Sequence, residues 1–218
     1  MRTKFLLKRA YTDTVTIPLL LLMSAGFAQP NRLPVPILKS GHSELKETAP
    51  QDIDDQESFK IRTLTNFIHH HFKISENKAA MIVGEAFRNG LKQDLQPELI
   101  LAIIAVESRF KEKAVSPVGA RGLMQVLASA HPKKIKKIGG TRNLYDPRKN
   151  ISVGTRILAQ YKDLSKGNLR RTLLRYNGSL GNSRSRYPDK VFRIYKQMKN
   201  TARLNEQLKV SQLNPNSS

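Results

Sequence analysis

The sequence predicts a mostly α, single-domain protein preceded by an N-terminal signal segment and a linker. Three observations predict it. From Phe59 onward apolar residues recur at helical spacing, and no stretch shows the alternation of a half-buried strand. The 218 residues are enough for one core plus tails. At 39% hydrophobic and 25% charged, the composition is that of an ordinary globular chain.

Residues 1–28 have the order of a secretory signal. Arg2, Lys4, Lys8 and Arg9 precede an apolar run from Val15 to Phe27, and Gly26 and Ala28 supply small residues for cleavage. The run is short for a bilayer span. An uncleaved inner-membrane anchor is the competing reading; either way the folded part is exported, to the periplasm. Residues 29–58 read as a linker without a core. Pro30, Pro34, Pro36 and Pro50 interrupt it, and Asp52, Asp54, Asp55 and Glu57 make it acidic.

The domain is expected over residues 59–200. Ile61, Leu64, Phe67, Ile68 and Phe72 share one helical face. Ser75 caps a second helix carrying Ala79, Ile82, Val83, Ala86 and Phe87, with Gly90 as its stop. Pro97 opens a third through Leu99, Ile100, Ile103, Ile104 and Val106, apolar on nearly every side and therefore buried. Asp146 caps a helix starting near Pro147, with Ile151, Val153, Ile157, Leu158 and Tyr161 inward. Leu169, Leu173 and Leu174 mark another, ending near Asn177-Gly178, and a last helix runs from about Pro188 through Val191, Ile194 and Met198. Residues 201–218 read as a polar tail.

The net charge is +21, from 38 basic and 17 acidic side chains. Such a field attracts polyanions: nucleic acid, anionic membrane or a carboxylate-rich wall polymer. There is no cysteine, which excludes disulfides, thiolate chemistry, Cys-ligated metals and a lipid-acylated Cys anchor. His69, His70 and His71 diverge by about 100° per residue on a helix, so they do not converge on one metal. No metal or other cofactor is expected.

Glu107 follows Ile103-Ile104-Ala105-Val106. A carboxyl at the end of so apolar a helix is partly desolvated, which favours its neutral form and suits a general acid. Position alone favours a plainer role, an ion pair with Arg109 or Lys111.

The residues that follow alter that balance. Glu107-Ser108-Arg109-Phe110 is followed by Ser116, Gly119-Ala120, then Gly122-Leu123-Met124-Gln125-Val126. Asp146-Pro147, Asn150-Ile151 and Gly154 make a second block; Arg175-Tyr176-Asn177-Gly178 and Tyr187-Pro188 with Val191 make a third and fourth. This ordered set resembles the soluble lytic transglycosylase (SLT) domain, the family twenty-three glycoside hydrolases with a lysozyme-like fold. The signature region is residues 96–199.

The resemblance implies cleavage of peptidoglycan between N-acetylmuramic acid and N-acetylglucosamine without water, leaving 1,6-anhydromuramoyl ends. Glu107 would serve first as acid, then as base. Ser108, Ser116, Gly122, Met124, Gln125, Tyr176, Asn177 and Tyr187 would bind substrate, with Tyr176 orienting Glu107 and Tyr187 closing the site. Plain alternatives are core packing for Leu123 and Met124 and a loop hydrogen bond for Ser116. The chain departs from the pattern at Lys111-Glu112-Lys113, at the late Pro132, and at Arg175 and Gly178 where alanines are usual.

Two other functions compete. A goose-type lysozyme would hydrolyse the same bond with water, but it needs further carboxylates, and acids after Glu107 are scarce. A non-catalytic basic protein would bind wall or nucleic acid. The chain has no Trp and only 6% aromatics, not interleaved with Lys and Arg as single-strand binding favours. Peptidoglycan, not nucleic acid, is the expected partner; oligomeric state is left open.

Overall fold

The structure, a computed structural model, describes residues 50–213. The signal reading of residues 1–28 and the linker reading of 29–49 lie outside the described residues.

The architecture is mostly helical: α1 (Pro50–Phe72), α2 (Glu76–Gln93), α3 (Pro97–Glu107), α4 (Pro132–Lys137), α5 (Pro147–Leu164), α6 (Leu169–Tyr176) and α7 (Tyr187–Leu213). α3 is the centre, packed by α2 and α7, with α1 and α5 closing the outside. Leu99, Ile100, Leu101, Ala102, Ile103, Ile104 and Ala105 are all buried, as the unbroken apolar run requires. Truncating Ile100, Ile103 or Ile104 to Ala would cost roughly 2–5 kcal/mol through lost burial and the cavity left behind.

Several boundaries differ from expectation, each for a physical reason. α1 begins at Pro50, so residues 50–58 are helical instead of linker. A proline followed by acids suits a helix N-terminus as well as it suits a linker. α2 passes through Gly90 and ends at Gln93, with Asp94 in the left-handed conformation at φ 49°. Gly90 answers a packing demand: a Cβ there would lie 2.6 Å from the Leu95 carbonyl oxygen. α7 continues to Leu213, so most of the expected tail is helical. Ser75 precedes α2 but makes no side-chain cap, whereas Asp146 accepts a hydrogen bond from the Lys149 N–H at 3.1 Å.

Two strands of two residues each, β1 (Ala120–Arg121) and β2 (Val126–Leu127), form a small antiparallel hairpin. Ala120 faces Leu127 and Arg121 faces Val126. Elements this short carry no alternation to read. The hairpin sits against α5 through Asn150, which is fully buried. Its Oδ1 accepts from the Met124 N–H at 2.8 Å, and its Nδ2 donates to the Arg121 and Leu144 carbonyls at 2.9 and 2.8 Å. Gly122 lies over this clamp at φ 77°, where a Cβ would fall 2.2 Å from Asn150 Nδ2. Glycine is the residue that both the backbone angle and the space allow.

The three histidines close α1. His69 bonds the Ile74 carbonyl through Nδ1 at 2.6 Å, and His71 stacks on Phe67. Among the described residues no group of three His, Asp or Glu is placed to hold a metal, and no helix is long and apolar enough to cross a membrane.

Candidate active site

Glu107 is the last residue of α3, at the point where the buried helix meets a cleft of about 330 Å³. One wall is the hairpin and the loop before it, through Ser116, Val118, Ala120, Gln125, Val126 and Leu127. The other is the end of α6 and the turn after it, Arg175 to Gly178, with Tyr161 and Ile157 of α5 and His131 at the base of α4. Among the described residues lining the cleft, Glu107 is the only acid.

Burial pushes the Glu107 carboxyl up to about 7, because its charged form has lost water. The Tyr187 hydroxyl donates to Glu107 Oε1 at 2.6 Å and opposes that rise. Burial and the charge of Glu107 raise Tyr187 in turn, so it remains a donor. With Oε1 occupied as an acceptor, Oε2 is the oxygen left to carry the acid proton.

Tyr176 is raised well above the usual tyrosine range, first by burial, then by Glu107 and Tyr161. Its hydroxyl donates to the Met124 carbonyl at 2.8 Å. The orienting contact expected of Tyr176 is therefore made by Tyr187, while Tyr176 ties α6 to the hairpin. His131 is held below the usual histidine range by burial and by Lys134.

The expected site residues divide into two groups. Glu107, Ser116, Gln125, Tyr176 and Asn177 line the cleft. Ser116 Oγ accepts from the Ala120 N–H at 3.0 Å, and Gln125, at φ 47°, donates through Nε2 to the Ala114 and Gly122 carbonyls. Both therefore shape the wall as well as face it. Ser108, Gly122, Met124 and Tyr187 stand behind the surface. Ser108 is buried and donates to the Ile104 carbonyl at 3.1 Å, the bond a serine at a helix end makes when turned inward. Met124 is fully buried against Gly154, where a Cβ would lie 2.5 Å from its sulfur. Gly122 serves the Asn150 clamp. None of these three lines the cleft, and Tyr187 meets it through its hydrogen bond to Glu107.

His131 and Tyr161 line the cleft without a sequence signal that marks them as site residues. Tyr161 was assigned to an apolar helical face, and His131 has no periodic neighbour to mark it. Arg175 reads in the sequence as a departure beside Tyr176-Asn177 and as one of several basic residues flanking the groove, without a role of its own. Asn150 was noted as part of a motif without its role.

A carboxyl raised to about 7 and facing a cleft in a helical fold defines a protein with the means for general acid chemistry. Comparison with known proteins gives the class a family. The model of the transglycosylase SLT domain matches residues 85–197, and the chain belongs to that family. A transglycosylase of Enterobacteria phage PRD1 is 34% identical over 105 residues, covering 46% of this chain and 37% of the phage protein. A membrane-bound lytic murein transglycosylase C of Cronobacter sakazakii is 33% identical over 129 residues, covering 53% of this chain and 35% of that protein. The chain thus spans about a third of the length of these curated relatives. An inactive mutant of lytic transglycosylase Slt from Pseudomonas aeruginosa, solved by X-ray crystallography, aligns at 23% identity over 55% of this chain and 22% of that one, with a TM-score of 0.43.

Proposed function

We propose that the chain is a lytic transglycosylase acting on peptidoglycan strands, with Glu107 as acid and then base. The observation that carries this reading is a single carboxyl, raised to about 7, the only acid among the described residues that line the cleft. Four acids that follow Glu107 in the sequence are placed elsewhere. Glu112 pairs with Lys78 at 3.1 Å, Asp146 caps α5, Asp189 pairs with Arg170, and Asp163 is exposed. The common retaining and inverting hydrolases use a second carboxylate, to attack the sugar or to activate water.

One carboxyl completes a non-hydrolytic cycle. Glu107 Oε2 gives its proton to the oxygen joining muramoyl and glucosaminyl sugars, and the bond to the muramoyl C1 breaks. The carboxylate left behind is disfavoured by its own burial, and it takes the proton of the muramoyl C6 hydroxyl. That oxygen closes on C1 to form the 1,6-anhydro ring. One proton enters and one leaves Glu107, and no water is consumed. Tyr187 holds the carboxyl throughout. Ser116, Gln125, Tyr176 and Asn177 form the walls along the glycan.

The relatives' names and the N-terminal sequence support an exported, periplasmic protein, with residues 1–28 as its signal or membrane attachment. The basic surface suits the polymer: a positive field gathers strands that bear carboxylates.

Mass spectrometry of purified wall digested by the full chain tests the reading. Anhydromuramoyl ends are expected from wild type and none from Glu107→Gln. Free muramoyl ends from wild type would make the protein a hydrolase.

A further inference from the structure

Arg175 sits in the last turn of α6 and lines the cleft beside Tyr176 and Asn177. Its Nε is buried with no hydrogen-bond partner. Among the described residues no carboxylate lies within ion-pair distance of it, in contrast to Arg170 one turn earlier, which holds Asp189. A helix C-terminus favours a positive charge, which accounts for a basic residue there. It does not account for burying a donor without an acceptor, an arrangement that costs stability unless an acceptor arrives. Glu107, the only acid lining the cleft, is occupied by Tyr187.

We infer that Arg175 determines specificity in this cleft by taking a carboxylate on the peptide stem carried by the glycan. The inference rests on the functional reading above and adds its recognition element. Stems hang from the lactoyl ether of the muramoyl sugar, the sugar on which Glu107 acts. A stem carboxylate therefore comes within reach of the wall next to the scissile bond. A guanidinium fork matches a carboxylate in two parallel hydrogen bonds, which a lysine does not reproduce. In water-poor surroundings such a pair is selective, because a neutral ligand would leave the guanidinium charge uncompensated.

The test measures kcat/KM for release of anhydro ends from three substrates. These are peptide-bearing strands, the same strands with carboxylates capped as amides, and strands stripped of their stems. Wild type is expected to prefer free carboxylates over capped ones by roughly ten- to hundredfold. Arg175→Gln is expected to erase that preference, and Arg175→Lys to restore part of it. Wild type treating capped and free strands alike would overturn the inference, even if the Arg175 variants fail to fold. So would a folded Arg175→Gln that keeps the preference. Anhydro ends from any substrate keep the functional reading in place whichever way this ratio falls. Their absence from all three would remove both.

Discussion

α3 carries a glutamate at each end, and the fold treats the two ends differently. Glu98 lies in the first turn and is buried, with Oε2 unpartnered and the helix's free amides nearby. Glu107 closes the helix, where unpaired carbonyls oppose a negative charge. Each end has a tyrosine from α7: Tyr195 is raised by burial and by the charge of Glu98, and Tyr187 donates directly to Glu107. The difference teaches that burial alone does not make an acid catalyst. Glu107 adds a cleft of substrate size, a single defined donor and the helix end that resists ionisation.

The largest break in this comparison is Glu107→Gln. General acid and base roles carry about 10²–10⁴ in rate. A loss of at least that size in anhydro-end formation is expected, with the helical circular dichroism unchanged.

Next comes the wall of the cleft. Asn150→Ala removes three hydrogen bonds, two of them buried, and takes the side-chain partner from each backbone group. A loss of about 2–4 kcal/mol is expected in denaturant unfolding. Gly122→Ala strikes the same contact, so the double variant should lose less than the sum of the two.

The pH dependence of stability sharpens the account at Glu107 itself. Its folded value, about 7, lies above the 4.5 of an unburied glutamate. The native state therefore holds a proton that the unfolded chain releases first. The stability this gives is complete below about 4.5 and is lost as pH rises through about 7. The loss is on the order of 3 kcal/mol. Glu107→Gln should flatten that segment of the stability curve and be the more stable protein at pH 8.

Tyr187→Phe has a smaller effect with a distinctive sign. Removing the donor removes the influence that lowers Glu107. The alkaline limb of the rate profile should move to higher pH, while the maximal rate falls by roughly tenfold through lost orientation. A limb that moves to lower pH would contradict the assignment. Glu98→Gln is the counterpart at the far end of α3 and the smallest effect: rates within about twofold of wild type.

Much of this was legible in the sequence. The apolar run of α3, Pro97 at its start, the Asp146 cap and the amphipathic face of α5 are local signals, and local physics honours them. Glu107 was legible from its place after that run together with the ordered blocks. The roles of Ser108, Gly122 and Met124 were not, because a motif marks positions without telling which side chains face inward. The exchange between Tyr176 and Tyr187 was hidden for a related reason. Which hydroxyl meets Glu107 depends on how α6 and α7 pack, and those contacts span 52 and 80 residues of chain. The hairpin escaped because two-residue strands have no period, and Asn150 reveals its function only when its three partners are in place.

The central claim is that Glu107 is a carboxyl whose titration is raised to about 7. Carbon-13 NMR of glutamate carboxyls, with Glu107→Gln identifying the resonance, measures this without substrate. A midpoint near 7 that moves upward in Tyr187→Phe is the result expected. A midpoint near the ordinary glutamate value of about 4.3 would contradict it.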